Sequence, residues 1–128
     1  MILDTCFLID LMRNNQSAVK KLEELNKKNE TFLITSIIIF ELYKGLFRCN
    51  SHKTERNKII SLLSNQLIIS FDEKSAEKAG EIEGYLNEQE IDIPDSMIAG
   101  ICLVKNEKLL TKNIKHFFKI KDLKIEEY

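Results

Sequence analysis

Four short apolar runs recur along the chain, each followed by a stretch with helical spacing. This alternation limits the fold more than any other feature. The runs are Met1-Ile2-Leu3-Asp4-Thr5, Thr31-Phe32-Leu33-Ile34-Thr35, Leu67-Ile68-Ile69-Ser70-Phe71 and Lys108-Leu109-Leu110-Thr111. Runs this short and this apolar suit strands buried on both faces. Between them the spacing predicts a short helix over 6–12 with Phe7, Leu8 and Leu11 inward. An amphipathic helix follows over 17–28, with Val19, Leu22 and Leu25 on one face and lysines opposite. Further helices are expected over 37–47, 55–64 and 73–89, and Cys49 to Lys53 reads as a polar loop. Strands regularly separated by helices indicate an α/β domain with a central, mainly parallel sheet of four to five strands covered by helices. Leu123 to Glu126 is the candidate fifth strand. No repeat, low-complexity tract or linker divides residues 1–128, and 128 residues at 44% hydrophobic suffice for one core.

Charge and cysteine usage exclude several classes. A formal net charge of −1 argues against a whole-surface polyanion binder but allows a local basic strip. No apolar run approaches the roughly 20 residues that span a bilayer, and Met1 to Met12 lacks the basic start of a signal peptide. Cys6, Cys49 and Cys102 are odd in number and unclustered, so they read as reduced thiols, neither a disulfide framework nor a zinc site. A soluble, cytoplasmic protein with no membrane partner is expected.

Ligands of parallel α/β sheets collect beyond the carboxyl ends of the strands, where Asp4 and Thr111 should lie. Two helices starting soon after strands can bring other acids to that edge. One is Ile37 to Phe47, apolar nearly all round, with Ser36 as its expected N-cap and Glu41 at its middle. The other begins in Ile91-Asp92-Ile93-Pro94-Asp95, which holds the only proline of the chain. Pro94 suits the first helical position. Asp95 falls in the first turn, on the face shared with Ile98, Ala99 and Cys102, so it should point along the core side. Each acid has a plainer role of its own: Asp4 as a helix cap, Glu41 as a partly exposed helix residue, Asp95 as a partner of the helix dipole. Gathered together, they would repel one another and raise at least one pKa unless a cation neutralised them. Oxygen-only donors suit Mg²⁺ or Mn²⁺, and such an ion supports hydrolysis of a phosphate ester.

Four motifs in order then resemble the PIN domain: Leu3-Asp4-Thr5 after the first strand, Phe40-Glu41-Leu42-Tyr43-Lys44-Gly45, Asp95-Ser96-Met97-Ile98-Ala99, and Leu110-Thr111-Lys112-Asn113-Ile114-Lys115-His116-Phe117. The similarity is greatest to the VapC toxins of VapBC toxin–antitoxin pairs and covers essentially the whole chain. It implies a metal-dependent endoribonuclease in which Asp4, Glu41 and Asp95 are catalytic, metal-binding acids. It also implies an RNA substrate, a small antitoxin partner and a homodimer. The apolar circumference of residues 37–47, with Tyr43 and Phe47, is also compatible with a dimer surface.

The last motif departs from the family, which often carries a further acid there; this chain offers Asn113 and His116. Asn113 and Thr111 are candidates to orient a water or a neighbouring carboxylate, and Asp92 is a candidate substitute acid or a cap. His116, without spaced partners, reads as a structural or substrate-side residue instead of a metal ligand. Lys44, Arg48, Lys112 and Lys115 flank the acidic motifs and are candidates for RNA phosphates. A catalytically silent PIN-like binding module is the alternative function. A haloacid-dehalogenase-type phosphotransferase would need an acid where Cys6 stands, and a receiver domain would need an acidic pair near its start.

Overall fold

A computed structural model describes residues 1–48, 52–86 and 90–128. All pairings in its sheet are parallel, in the order β3-β2-β1-β4-β5. The strands are β1 (Ile2–Leu3), β2 (Leu33–Thr35), β3 (Leu67–Ile69), β4 (Leu109–Leu110) and β5 (Ile125–Glu126). The expected α/β class is therefore found, with a wholly parallel sheet of five strands. Ile2, Leu3, Leu109 and Leu110 are buried in its middle, as double-sided burial requires. The edge strand β3 is different, because Leu67 and Ile68 are exposed.

Strand order carries the functional consequence. The chain runs outward from β1 through β2 to β3, then returns to place β4 on the other flank of β1. The direction of winding thus reverses between β1 and β4, and the crevice beyond their carboxyl ends is the natural ligand site of such a sheet. Asp4 follows β1 directly and Thr111 follows β4.

The helices are α1 (Thr5–Met12), α2 (Gln16–Lys27), α3 (Ser36–Leu46), α4 (His52–Leu63), α5 (Glu73–Tyr85), α6 (Ile93–Lys105) and α7 (Ile114–Phe117). Several boundaries differ from those the sequence predicts. Thr35, not Ser36, caps α3: its hydroxyl accepts from the Ile38 amide at 3.2 Å. Ser36 instead accepts from the Phe71 amide at 3.2 Å and ties the start of α3 to the segment after β3. His52 and Lys53 belong to α4 and not to a loop; Cys49, Asn50 and Ser51 lie outside the described residues, as do residues 87–89 of the long helix. Pro94 is the second residue of α6, with Asp92 at the N-cap position.

Helices α5 and α6 meet at close range through one glycine. A Cβ on Gly100 would stand 2.7 Å from the Ser75 carbonyl oxygen and 3.0 Å from the Ala79 amide nitrogen. Both obstacles are backbone and cannot rotate away. Gly100→Ala is therefore expected to force the helices apart and cost about 1–3 kcal/mol. Urea unfolding of the two proteins checks this, and an unchanged midpoint would refute the close-approach argument.

Candidate active site

Asp4 is the best-buried acid of the group, 3% exposed. Its extended backbone caps α1, with Oδ1 accepting from the Thr5 amide at 2.7 Å. Its Oδ2 accepts from the Thr111 hydroxyl at 2.6 Å and from the Cys6 thiol at 3.0 Å. The Thr111 oxygen is itself an acceptor for the Asn113 backbone amide at 2.9 Å. Burial, reinforced by the Asp4 charge, pushes the Cys6 thiol pKa up, so this side chain stays a proton donor to the carboxylate.

Glu41 reaches the same place from α3. Its Oε2 accepts from the Thr5 hydroxyl at 2.5 Å, so consecutive residues of one turn hold two of the three acids. Burial raises its pKa; the Asp4 and Asp92 charges add to this, while the Thr5 hydrogen bond and Lys44 oppose it. Lys44 stands one helical turn after Glu41, and both line a cleft of about 470 Å³ with Ile91, Asp92, Ile93, Pro94 and Asp95.

Asp95 points from the first turn of α6, a helix whose Ile98, Ala99 and Cys102 are fully buried. Burial is the main cause that pushes its pKa up to about 6, and the Asp4 and Glu41 charges add to the effect. His116 opposes it: its Nδ1 lies 2.9 Å from Asp95 Oδ2. Asp92, at the N-cap position, makes no side-chain capping bond. Donor atoms of Asp92, Asp95 and His116 all lie within 4.8 Å of one another. A second cleft of about 600 Å³ opens beside them, lined by Asp92, His116, Lys115, Phe118 and Lys119 among others.

The structure thus brings Asp4, Glu41, Asp95 and Thr111 to one edge, with Lys44 and Asp92 on the cleft wall. Asn113 reaches the group through its backbone amide. α7 packs His116 onto Asp95, so the fold supplies it with a partner that sequence spacing does not show. Lys112 is ion-paired with Asp10 of α1, an acid outside the group. Sequence reasoning missed Thr5 and Cys6 as supports of the acids. The signal available was their position, immediately after a strand-end Asp and at the start of a helix.

The fold and site define an α/β domain with a fully parallel sheet and acids gathered at its winding reversal, and comparison gives it a family. The chain belongs to the PIN-domain family, whose model matches residues 1–123. Ribonuclease VapC2 of Rickettsia felis is 30% identical over 129 residues, spanning 99% of this chain and 96% of that protein. The crystal structure of VapBC2 from Rickettsia felis, bound to a DNA fragment from their promoter, superposes with a TM-score of 0.88 at 30% identity, covering 99% of this chain and 97% of that one. VapBC-1 from nontypeable Haemophilus influenzae gives a TM-score of 0.83 at 26% identity, over 98% of this chain and 96% of that one.

The raised pKa of Asp95 makes a stability prediction. Below the ordinary value of 3.8 this carboxyl is neutral in both folded and unfolded chains and costs nothing. Between 3.8 and about 6 only the unfolded chain ionises, so stability falls as pH rises; above about 6 the full penalty is present. With chelator present, Asp95→Asn should therefore raise stability at pH 8 by on the order of 1–2 kcal/mol and have no such effect at pH 3.5. Urea unfolding at the two pH values checks this; an equal effect at both would mean that charge is not its cause.

Proposed function

We propose that this protein is a divalent-metal-dependent endoribonuclease acting as the toxin of a toxin–antitoxin pair. The observation that carries the proposal is the convergence of three carboxylates from three elements at the sheet's winding reversal: Glu41 and Asp95 line one cleft, and the buried Asp4 lies close enough for its charge to act on both. Burial first, and the neighbouring carboxylates after it, raise the pKa of Glu41 and Asp95, with Lys44 only partly offsetting this at Glu41. An all-oxygen donor set of this kind fits a hard divalent cation, Mg²⁺ or Mn²⁺. When bound, such a cation supplies a water of lowered pKa and neutralises charge gathering on a phosphodiester.

The chain's own residues divide the remaining work. Thr111 and Thr5 fix the directions of the Asp4 and Glu41 carboxylates before substrate arrives, which removes a reorganisation cost from the reaction. Lys44, exposed on the cleft wall, offers an ammonium to an RNA phosphate that would otherwise meet only negative charge. Lys115 on the neighbouring cleft can do the same for the adjoining nucleotide.

The named relatives support the rest of this reading: one is a ribonuclease, and the matched structures are of VapBC proteins. A small antitoxin is the partner we extend to this chain, together with a homodimer. Exposed Phe40 on α3 and Phe47 at its C-cap, with Leu67 and Ile68 on β3, supply apolar surface left uncovered within one chain. Among the described residues no helix is long and apolar enough to cross a membrane.

Cleavage of a mixed pool of structured RNAs by the purified protein, with Mn²⁺, with Mg²⁺ and with chelator, tests the activity. Asp95→Asn and Glu41→Gln should remain folded and lose on the order of 100-fold or more in rate. Full activity in chelator, or in a folded Asp95→Asn protein, would overturn the proposal.

A further inference from the structure

We infer that Asp10, gripped by Lys112 and Tyr128, is a positioning residue that sets the segment from Thr111 to His116 against Asp4 and Asp95. The inference rests on reading Asp4, Glu41 and Asp95 as a nuclease site. It gives Lys112 a task other than contact with RNA.

Three observations converge. The first is that Asp10 is a buried acid outside the acid group. It lies on α1 at 8% exposure, in a helix whose Phe7 and Leu8 are also buried. An acid this well covered is costly unless donors reach it. Both donors come from far along the chain: the Lys112 ammonium pairs with Asp10 Oδ2, and the Tyr128 hydroxyl donates to the same oxygen at 3.1 Å. The Lys112 hydrogen bond holds the Asp10 carboxyl below its ordinary range, so the pair is charged at neutral pH.

The second is where Lys112 stands. On one side of it, the Thr111 hydroxyl donates to Asp4 Oδ2 at 2.6 Å; on the other, the Asn113 amide donates to the Thr111 oxygen at 2.9 Å. Farther on, His116 Nδ1 lies 2.9 Å from Asp95 Oδ2. The segment leaves the sheet after β4, and α7 has four residues, too few to be stable by itself. Side chains must therefore hold it. Phe117, completely buried, fixes its far end, and Lys112 fixes its near end.

The third is that the anchor is itself rigid. The Tyr128 ring packs edge-on against Phe7 at 4.7 Å, and Phe7 is completely buried. Helix α1 has Asp4 as its N-cap and carries Asp10 farther along. A closed circuit results, from Asp4 along α1 to Asp10, across to Lys112, and back through Thr111 to Asp4. Breaking it at Asp10 leaves the core intact but frees the segment that orients the acids.

A double-mutant cycle in RNA cleavage with Mn²⁺ tests the inference. Asp10→Ala and Lys112→Ala should each lower kcat roughly 10- to 100-fold, the scale of a small misplacement in a catalytic site, and leave KM within about twofold. The double variant should be no worse than either single one, because both remove the same contact. Asp10→Asn, which keeps an acceptor and the shape, should recover part of the loss. Additive losses, or an unchanged kcat with only a lowered urea midpoint, would overturn the inference. So would a raised KM in Lys112→Ala with a lowered one in Asp10→Ala, the pattern of a lysine that binds phosphate. Amide hydrogen exchange supplies an arm independent of activity. In Asp10→Ala the Asn113 and His116 amides should exchange about tenfold faster or more, and the Leu109 amide, bonded to the Lys124 carbonyl at 2.9 Å, should not change. Unchanged exchange at Asn113 and His116 would overturn the inference even in an active nuclease. Faster exchange there, in a protein whose wild type cuts no RNA, would support the brace and overturn the nuclease reading alone.

Discussion

A single buried carboxylate organises the acid-lined edge of this protein. Asp4 leaves the central strand with almost no exposure and must be satisfied by hydrogen bonds, since an isolated buried anion is costly. The fold provides three donors of three kinds: a backbone amide, a thiol and a hydroxyl. The hydroxyl is the informative one. Because Thr111 accepts from the Asn113 amide, its own proton is left for Asp4. Strand pairing brings the two together, since Leu3 registers with Leu110 and the Asp4 amide donates to the Leu110 carbonyl at 3.0 Å. A slip in that register would separate them and leave the acid without a hydroxyl.

Around Asp4 the electrostatics are deliberately unbalanced. Glu41 and Asp95 are each desolvated and each feel the other acids, so the cation-free site works against folding stability. Such a penalty is tolerable because the rest of the molecule does not depend on the edge. The core strands, α3 through Ile38, Leu42 and Leu46, and α6 through Ile98 to Cys102 are buried independently of the acids. Stability resides in the apolar layers, and the edge is free to be strained.

Much of this was legible in the sequence. Short apolar runs separated by helices specified a parallel sheet, and the strand-end position of Asp4, the core-side phase of Asp95 and the apolar surroundings of Glu41 singled those acids out. What was not legible depended on contacts between distant segments. His116 meets Asp95 across 21 positions only because α7 docks beside the start of α6. The Thr35 cap displaced the expected Ser36 cap because Ser36 has a competing partner in Phe71, 35 residues away. Thr5 is unremarkable in sequence and acquires its role only when α3 delivers Glu41 to its hydroxyl. Local propensity cannot register any of these, because each is decided by a partner that packing brings in from a distant segment.

The segment from Thr111 to Phe117 shows the same logic from the other side. Its polar residues look like a substrate-contacting loop, and Lys112 is the obvious candidate for a phosphate. In the folded chain the segment is fastened along its length: Thr111 to Asp4, Lys112 to Asp10, His116 to Asp95, and Phe117 into the core. Asp10 is held from a second direction by the Tyr128 hydroxyl at 3.1 Å, and the Tyr128 ring packs edge-on against buried Phe7 at 4.7 Å. Lys112 therefore belongs to a brace that joins α1, the last motif and Tyr128. This explains why a four-residue helix can present a histidine to the acids. Its backbone is restrained at both ends, and positional precision in a site of this kind requires such restraint. Lys44 and Lys115 stand on the cleft walls, one on each cleft flanking the acids.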